Sequence, residues 1–337
     1  AASDLSFRMG GTVSNLLTVT GGSGVFVVTS AGLAGAASAS VGLNATGVSV
    51  AGSFEVRIND AGVAVQETVT VGGSPVTINL PAGPYLHVTG SGVTVSFLGA
   101  ALTGNFTFEQ RTTQSASRVI LVTASQVGFN FGTSLLQASN GSGFFMITDA
   151  GVAGQGQITV AIDAFGTGFS HTFQWSFNST GSAFVETVGN PTSVNLPAGP
   201  FHRLDSGPVP VTVQLPIGSA TQSLQGRFVV VLVPGSSPYL TVAASQVNAT
   251  IGAGPVGLSV SGGTGAFVIY STGIAGRVKV TTAGLSGAGM LGLTARNLEL
   301  QLNNTGADVG VPDPVVIPVN DNPADNVSLR FEGAYYR

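Results

Sequence analysis

The stretch GGSGVFVVTSAGLAG (21–35) returns as NGSGFFMITDAGVAG (140–154) and again as GGTGAFVIYSTGIAG (262–276). The matching glycines Gly22, Gly141 and Gly263 stand about 120 residues apart, the size of an ordinary domain. Other landmarks keep the same step. LPAGPY (80–85) answers LPAGPF (196–201), and ASDLSFRMG (2–10) answers ASQVGFNFG (124–132) and ASQVNATIG (244–252). The chain therefore reads as three tandem units, 1–123, 124–243 and 244–337.

The third unit is the shortest. PVVIP (314–318) can be laid on PVTIN (75–79) and LRFEG (329–333) on LHVTG (86–90). Nothing then answers GVTVSFLGAALTGNFTFEQ (92–110). The expectation is a unit without its last hairpin, whose open strand edge a neighbour fills.

Within each unit the period is two. Phe54, Val56 and Ile58 alternate with Glu55, Arg57 and Asn59, and Phe173, Trp175 and Phe177 with Gln174, Ser176 and Asn178. Leu298, Leu300 and Leu302 alternate with Glu299, Gln301 and Asn303. Successive side chains of a strand face opposite ways, so each segment predicts a strand with one core face and one wet face. Val25 to Val28, Phe144 to Ile147 and Ala266 to Ile269 are apolar without a break and predict strands covered on both faces. Ala31-Gly32 and Ala150-Gly151 supply hairpin turns. No segment has helical spacing. The fold class is all-β, three antiparallel units of about nine strands each, as a sandwich or a hairpin meander. A β-solenoid is the alternative, suggested by the similarity of SGVFVVTSAGLAGAASAS (23–40) to SGVTVSFLGAALTGNFTF (91–108).

Composition narrows the function. Only 26 of 337 residues are charged, 8% against roughly 25% in ordinary soluble domains. The net charge is −4, and Lys279 is the one lysine, so no basic stripe is present to neutralise nucleic-acid phosphates. The mean hydropathy is +0.42, yet the longest uncharged aliphatic run, Phe228 to Val233, is far short of the ~20 residues of a membrane-spanning helix. Alternating strands leave an outer-membrane barrel open. No leader pattern of basic then apolar residues opens the sequence. The absence of cysteine removes disulfides and thiolate chemistry, and suits an exposed extracellular polymer.

Catalytic constellations are lacking. The three histidines are His87, His171 and His202, two of them just after the LPAGP turns, where an architectural role is expected. His171 is expected to face solvent. GxSxG, P-loop and HExxH patterns are absent, so the chain reads as non-enzymatic. Trp175 takes the inward position held by Val56 and Leu300 and is expected in the core. Asp308, Asp313, Asp321 and Asp325 form an oxygen-rich loop, the one candidate for a calcium site. Tyr335 and Tyr336 follow the last strand and are candidates for contact with a neighbouring subunit. Asn-x-Ser/Thr occurs at Asn44, Asn105, Asn140, Asn178, Asn248, Asn303 and Asn326. Asn178 and Asn303 end the polar face of matching strands, where a glycan would have room.

GSGFFMITDAGVAG (141–154), LPAGP (80–84, 196–200) and LTGNFTFEQ (102–110) resemble the Gly/Val/Thr-rich repeats of very long secreted bacterial surface proteins of the adhesin type. The resemblance implies an extracellular or cell-surface setting and a structural or adhesive role, with copies of the chain as partners. On the sequence alone the chain is a segment of a self-assembling filament or surface layer. The alternative is an adhesin stalk or carbohydrate-binding module, with glycans as partners.

Overall fold

A computed structural model describes residues 1–10, 15–44, 48–83, 85–97, 100–113, 117–130, 137–162, 169–187, 193–217, 220–233, 239–253, 256–270, 272–286, 294–303, 305–310, 314–317, 326–333 and 335–336. The chain is all-β, with no helix among the described residues, and most strands belong to one large antiparallel sheet. Packing groups it into two compact units. One comprises Ala1–Phe129, Ser139–Gly156 and Phe177–Pro200; the other comprises Asn130–Ala138, Gln157–Ser176 and Phe201–Arg337.

In the first unit Ala2–Gly10, Asn15–Thr29, Gly32–Leu43, Phe54–Asn59, Tyr85–Phe97 and Ala100–Thr112 pair antiparallel in turn. In the second, Ala220–Val233, Tyr239–Ala253, Val256–Tyr270, Gly273–Ser286 and Thr294–Asn303 do the same. Many of these strands are longer than the usual five or six residues, and the sequence bends them deliberately. Asp4 (φ 56°), Gln126 (51°) and Gln246 (53°) hold the third place of the three opening motifs. Gly21 (63°), Asn140 (54°) and Gly262 (66°) open the three long repeats. Where registers are visible, these residues coincide with shifts: Ala2/Leu5, Thr20/Ser23 and Ala244/Val247. Each is a β-bulge, which bends its strand and raises its twist.

The repeat's closing glycine has a packing cause. Phe26 pairs with Gly35 and Phe267 with Gly276 across the hairpin. A Cβ at Gly35 would lie 2.4 Å from Phe26 Cδ1, at Gly154 2.2 Å from Phe145 Cβ, and at Gly276 2.3 Å from Phe267 Cδ1. The aromatic side chain takes the volume that any other residue would need.

A second thrice-repeated device is a buried asparagine. Asn59, Asn178 and Asn303 are each 0% exposed. Asn59 Nδ2 donates to the carbonyls of Val63 (2.9 Å) and Pro81, and its Oδ1 accepts from the N–H of Ala61 (2.9 Å). Asn178 Nδ2 donates to Ser182 (2.9 Å) and Pro197 (2.8 Å), and its Oδ1 accepts the N–H of Thr180 (2.8 Å). Asn303 Nδ2 donates to Ala307 and Gly333 (both 2.8 Å), and its Oδ1 accepts the N–H of Thr305 (3.1 Å).

In each copy this carboxamide ties the end of a strand to the turn after it and to the chain returning from a small two-stranded hairpin. The hairpins are Val65–Val71 with Ser74–Leu80, Phe184–Thr187 with Ser193–Leu196, and Val315–Ile317 with Val327–Leu329. The first buries Val65, Ile78 and Leu80 against Ala34, Val25 and Val27. The last buries Ile317 and Leu329 with Ala266, Val268 and Ala275. The glycine of LPAGP is the close approach this demands, since a Cβ at Gly83 or Gly199 would lie 2.2 or 2.1 Å from the carbonyl oxygen of Asn59 or Asn178.

Several sequence expectations change. Asn59, Asn178 and Asn303 were assigned to the wet face by alternation, but the strand ends there and the turn folds over the side chain. Asn178 and Asn303 are consequently sealed and cannot carry a glycan in the folded chain. Val28 is 79% exposed, because the hairpin covers the face of Val25 and Val27 and Val28 points to the opposite one. Leu298, expected inside, is 43% exposed. Trp175 is in the core at 5% exposure, as expected. In the third copy Leu329 ends the small hairpin as Leu80 does, and Tyr335 pairs with Asn303 as Tyr85 pairs with Asn59. Tyr335, not Leu329, therefore opens the next strand, and PVVIP answers the first hairpin strand rather than PVTIN.

Replacing Asn178 with Ala removes the donor to the Ser182 and Pro197 carbonyls and the acceptor of the buried Thr180 N–H, leaving Thr180 Oγ1 on the Ser182 carbonyl, and should cost about 3 kcal/mol. The exposed Asn79→Ala should cost about 0.5 kcal/mol or less. Gly154→Ala should cost about 2 kcal/mol through overpacking against Phe145. Denaturant midpoints of the three variants check all three values.

Candidate functional site

Of the three histidines, His202 is buried at 3% exposure. His171 is half-buried, its Nε2 3.2 Å from the Ser206 carbonyl and its ring edge-on to Phe173, rather than pointing freely into solvent. His87 stands among other titratable groups. It stacks on Tyr85 (ring centroids 5.6 Å apart, planes 22° from parallel), and its Nε2 lies 3.8 Å from Glu109 Oε1. Glu109 is also held by Arg111, whose Nε donates at 2.9 Å. These side chains line an open depression of about 550 Å³ with Ile58 and Asp60.

A second depression of about 470 Å³ lies on the same face of the same strands. Ser38 pairs with Glu55, Glu55 with Thr89 and Thr89 with Thr107, giving one polar row across four strands. The neighbouring row runs from Ala36 through Arg57 to His87. Asn105 closes the trough: its Oδ1 accepts from Ser91 Oγ (3.1 Å) and the Gly92 N–H (3.2 Å), and its Nδ2 donates to Gln126 Oε1 (2.8 Å). The inner face of these strands is apolar, with Val56, Val88 and Phe108 all buried. Alternation therefore sets the trough's polarity, and register alone brings Glu109 beside His87. Tyr85, Glu109 and Arg111 were not singled out from the sequence; their only signal was the alternation in LTGNFTFEQ and the shared LPAGP turn.

The acidic loop resolves in part. Asp308 Oδ1 accepts the Gly333 N–H at 2.7 Å, while Asp313, Asp321 and Asp325 lie outside the described residues. No metal-ligating cluster occurs among the described residues. Tyr335 and Tyr336 pair with Asn303 and Leu302 of their own chain. No described helix is long and apolar enough to cross a membrane.

The strand that Tyr335 and Tyr336 join is itself unusual. Gly273–Ser286 covers one side of Thr294–Asn303 from Thr294 to Asn303. On its other side Leu302 pairs with Tyr336 and Asn303 with Tyr335. Glu299 stands on this strand. A hydrogen bond from Gln301 Nε2 (2.6 Å), aided by Lys279 Nζ at 3.3 Å, holds its carboxyl below the usual carboxylate range despite some burial. In the same compact unit, Tyr270 is pushed up by burial and by Tyr239, whose ring centre lies 5.1 Å away.

The chain matches no protein family, no curated protein and no solved structure.

Because the folded-state pKa of Glu299 lies below its unfolded value near 4.5, its stabilising effect is present above that pH and is lost as pH falls through the folded value. Gln301→Ala should raise the Glu299 pKa toward 4.5, read by carboxyl-carbon NMR titration. An unchanged midpoint contradicts the assignment.

Proposed function

We propose that this chain is a structural, non-enzymatic component of an extracellular bacterial filament or cell-surface layer, assembled by strand pairing between copies. Its three tandem units, 1–123, 124–243 and 244–337, are read as one antiparallel meander module used three times. The described pairings are antiparallel and largely follow chain order, which favours a meander over a solenoid of parallel rungs.

The observation that carries this reading is the apolar surface exposed on and beside Thr294–Asn303. In the first copy the corresponding edge is paired from Phe54 opposite Gly90 to Asn59 opposite Tyr85. In the third copy the same pairing begins with Tyr335 opposite Asn303 and Tyr336 opposite Leu302. Soluble proteins guard such edges with lysine, proline or bulges. Thr294–Asn303 carries no lysine and no proline; Arg296, Glu299 and the positive-φ Asn297 lie on it, and it displays Leu298 at 43% exposure. Beside it, Leu258 and Leu285 pair across neighbouring strands at 36% and 37% exposure. A strand from a second copy continues the pairing that Tyr335 and Tyr336 begin, and head-to-tail repetition of such a contact builds a fibre.

Sedimentation velocity and negative-stain electron microscopy across a concentration series test the reading. Wild type is expected to form concentration-dependent oligomers. Leu298→Lys, which places a charge on the edge, should abolish them while leaving thermal stability within a few degrees. A wild type that stays monomeric at high concentration, or a Leu298→Lys variant that assembles equally well, overturns it.

A further inference from the structure

We propose that the polar trough of the first compact unit, from Tyr85 and His87 at one end to Ser91 and Asn105 at the other, binds an uncharged glycan chain. The inference does not depend on self-assembly, since the trough and the edge of Thr294–Asn303 lie in different compact units.

Three observations select the ligand class. The first is the donor and acceptor set. Ser38, Thr89, Ser91 and Thr107 contribute hydroxyls, each able to donate and accept, next to Asn105 and Glu55. A ligand dense in hydroxyl groups matches this surface better than an apolar or a purely anionic one.

The second is charge. Two of the three carboxylates lining the depressions are matched by the guanidinium two residues on: Arg57 Nε donates to Glu55 Oε1 at 3.0 Å, and Arg111 Nε to Glu109 Oε2 at 2.9 Å; Asp60 is the third. The carboxylates exceed the guanidiniums by one, so an acidic polymer gains nothing from the face and a basic one gains little. The planar pairs remain exposed enough to be bridged by ligand hydroxyls, with Glu55 and Arg57 side chains each 46% exposed.

The third is shape. The two depressions, about 470 and 550 Å³, share one sheet face between Glu55 and Arg111. Tyr85 to Ser91 spans about 20 Å at 3.3 Å per residue, room for several sugar rings in line. At one end the stacked Tyr85 and His87 give the aromatic contact on which a pyranose ring rests. The corresponding strands of the next copy have Phe201, Arg203 and Asp205 in place of Tyr85, His87 and Thr89, Val229 in place of Thr107 and Val231 in place of Glu109. The trough therefore belongs to the first copy.

The test uses the intact chain and neutral hexasaccharides of glucose, mannose and N-acetylglucosamine, with polygalacturonate as the anionic control, in isothermal titration and saturation-transfer NMR. At least one neutral hexasaccharide is expected to bind, and polygalacturonate is not. The double variant Thr89→Val, Thr107→Val should weaken binding by about tenfold or more, as loss of two hydrogen bonds implies. Arg111→Gln, which keeps an amide donor on an exposed side chain, guards against misfolding and should weaken binding by a smaller factor. Absence of binding to every neutral glycan, preference for the anionic polymer, or binding that both folded variants retain overturns the proposal.

Discussion

One carboxamide, used three times, sets the architecture. Asn59, Asn178 and Asn303 each end a sheet strand and each hold, on a single side chain, the turn that follows and the chain that returns from the small hairpin. A backbone carbonyl buried without a partner is costly, and two of them meet at each of these amide groups. With the carboxamide in place the hairpin lies over the most apolar strands and covers Val25 and Val27 in the first copy, Ala266 and Val268 in the third. Without it the return segment would have to find water, and the strands beneath would lose their cover. The glycines of the repeat serve the same end. Gly83 and Gly199 let the backbone reach the asparagine's own carbonyl, and Gly32 and Gly151 press their turns against Ala61 and Ser179.

Much of this was legible. Alternation at Phe54–Asn59 and Phe173–Asn178 gives strands on the right faces for all but the final residue, and the repeat spacing gives the equivalences. The asparagine escaped because period two speaks only of strand interiors. At a strand end the next turn decides burial, and the turn's carbonyls are invisible in the sequence. Leu298 escaped for the opposite reason: alternation reports which side a residue takes, but whether that side is covered depends on which strands stand opposite. The trough was hidden by distance along the chain, since Glu55, His87 and Glu109 meet through pairings between three separate strands.

Few charges are spent, and they are spent close together. Glu55 with Arg57, Glu109 with Arg111, Arg203 with Asp205 and Arg330 with Glu332 are all pairs two residues apart in the chain, the first three on one strand. Such exposed pairs add little stability. They do cancel charge along each strand, so the polar faces carry almost no net field and offer little repulsion to another sheet or to an uncharged ligand. A surface of this kind is suited to contact with copies of itself and with hydroxyl-rich polymers.

The most direct test of the asparagine's role is amide hydrogen exchange resolved by residue. The N–H groups of Ala61, Thr180 and Thr305 all donate to these carboxamides from turns that would otherwise exchange freely. All three should exchange as slowly as the sheet strands beside them, and with similar protection factors. Exchange at loop-like rates in any of them would show that the turn opens independently of the sheet, and would remove the asparagine from its place as the fastening of each copy.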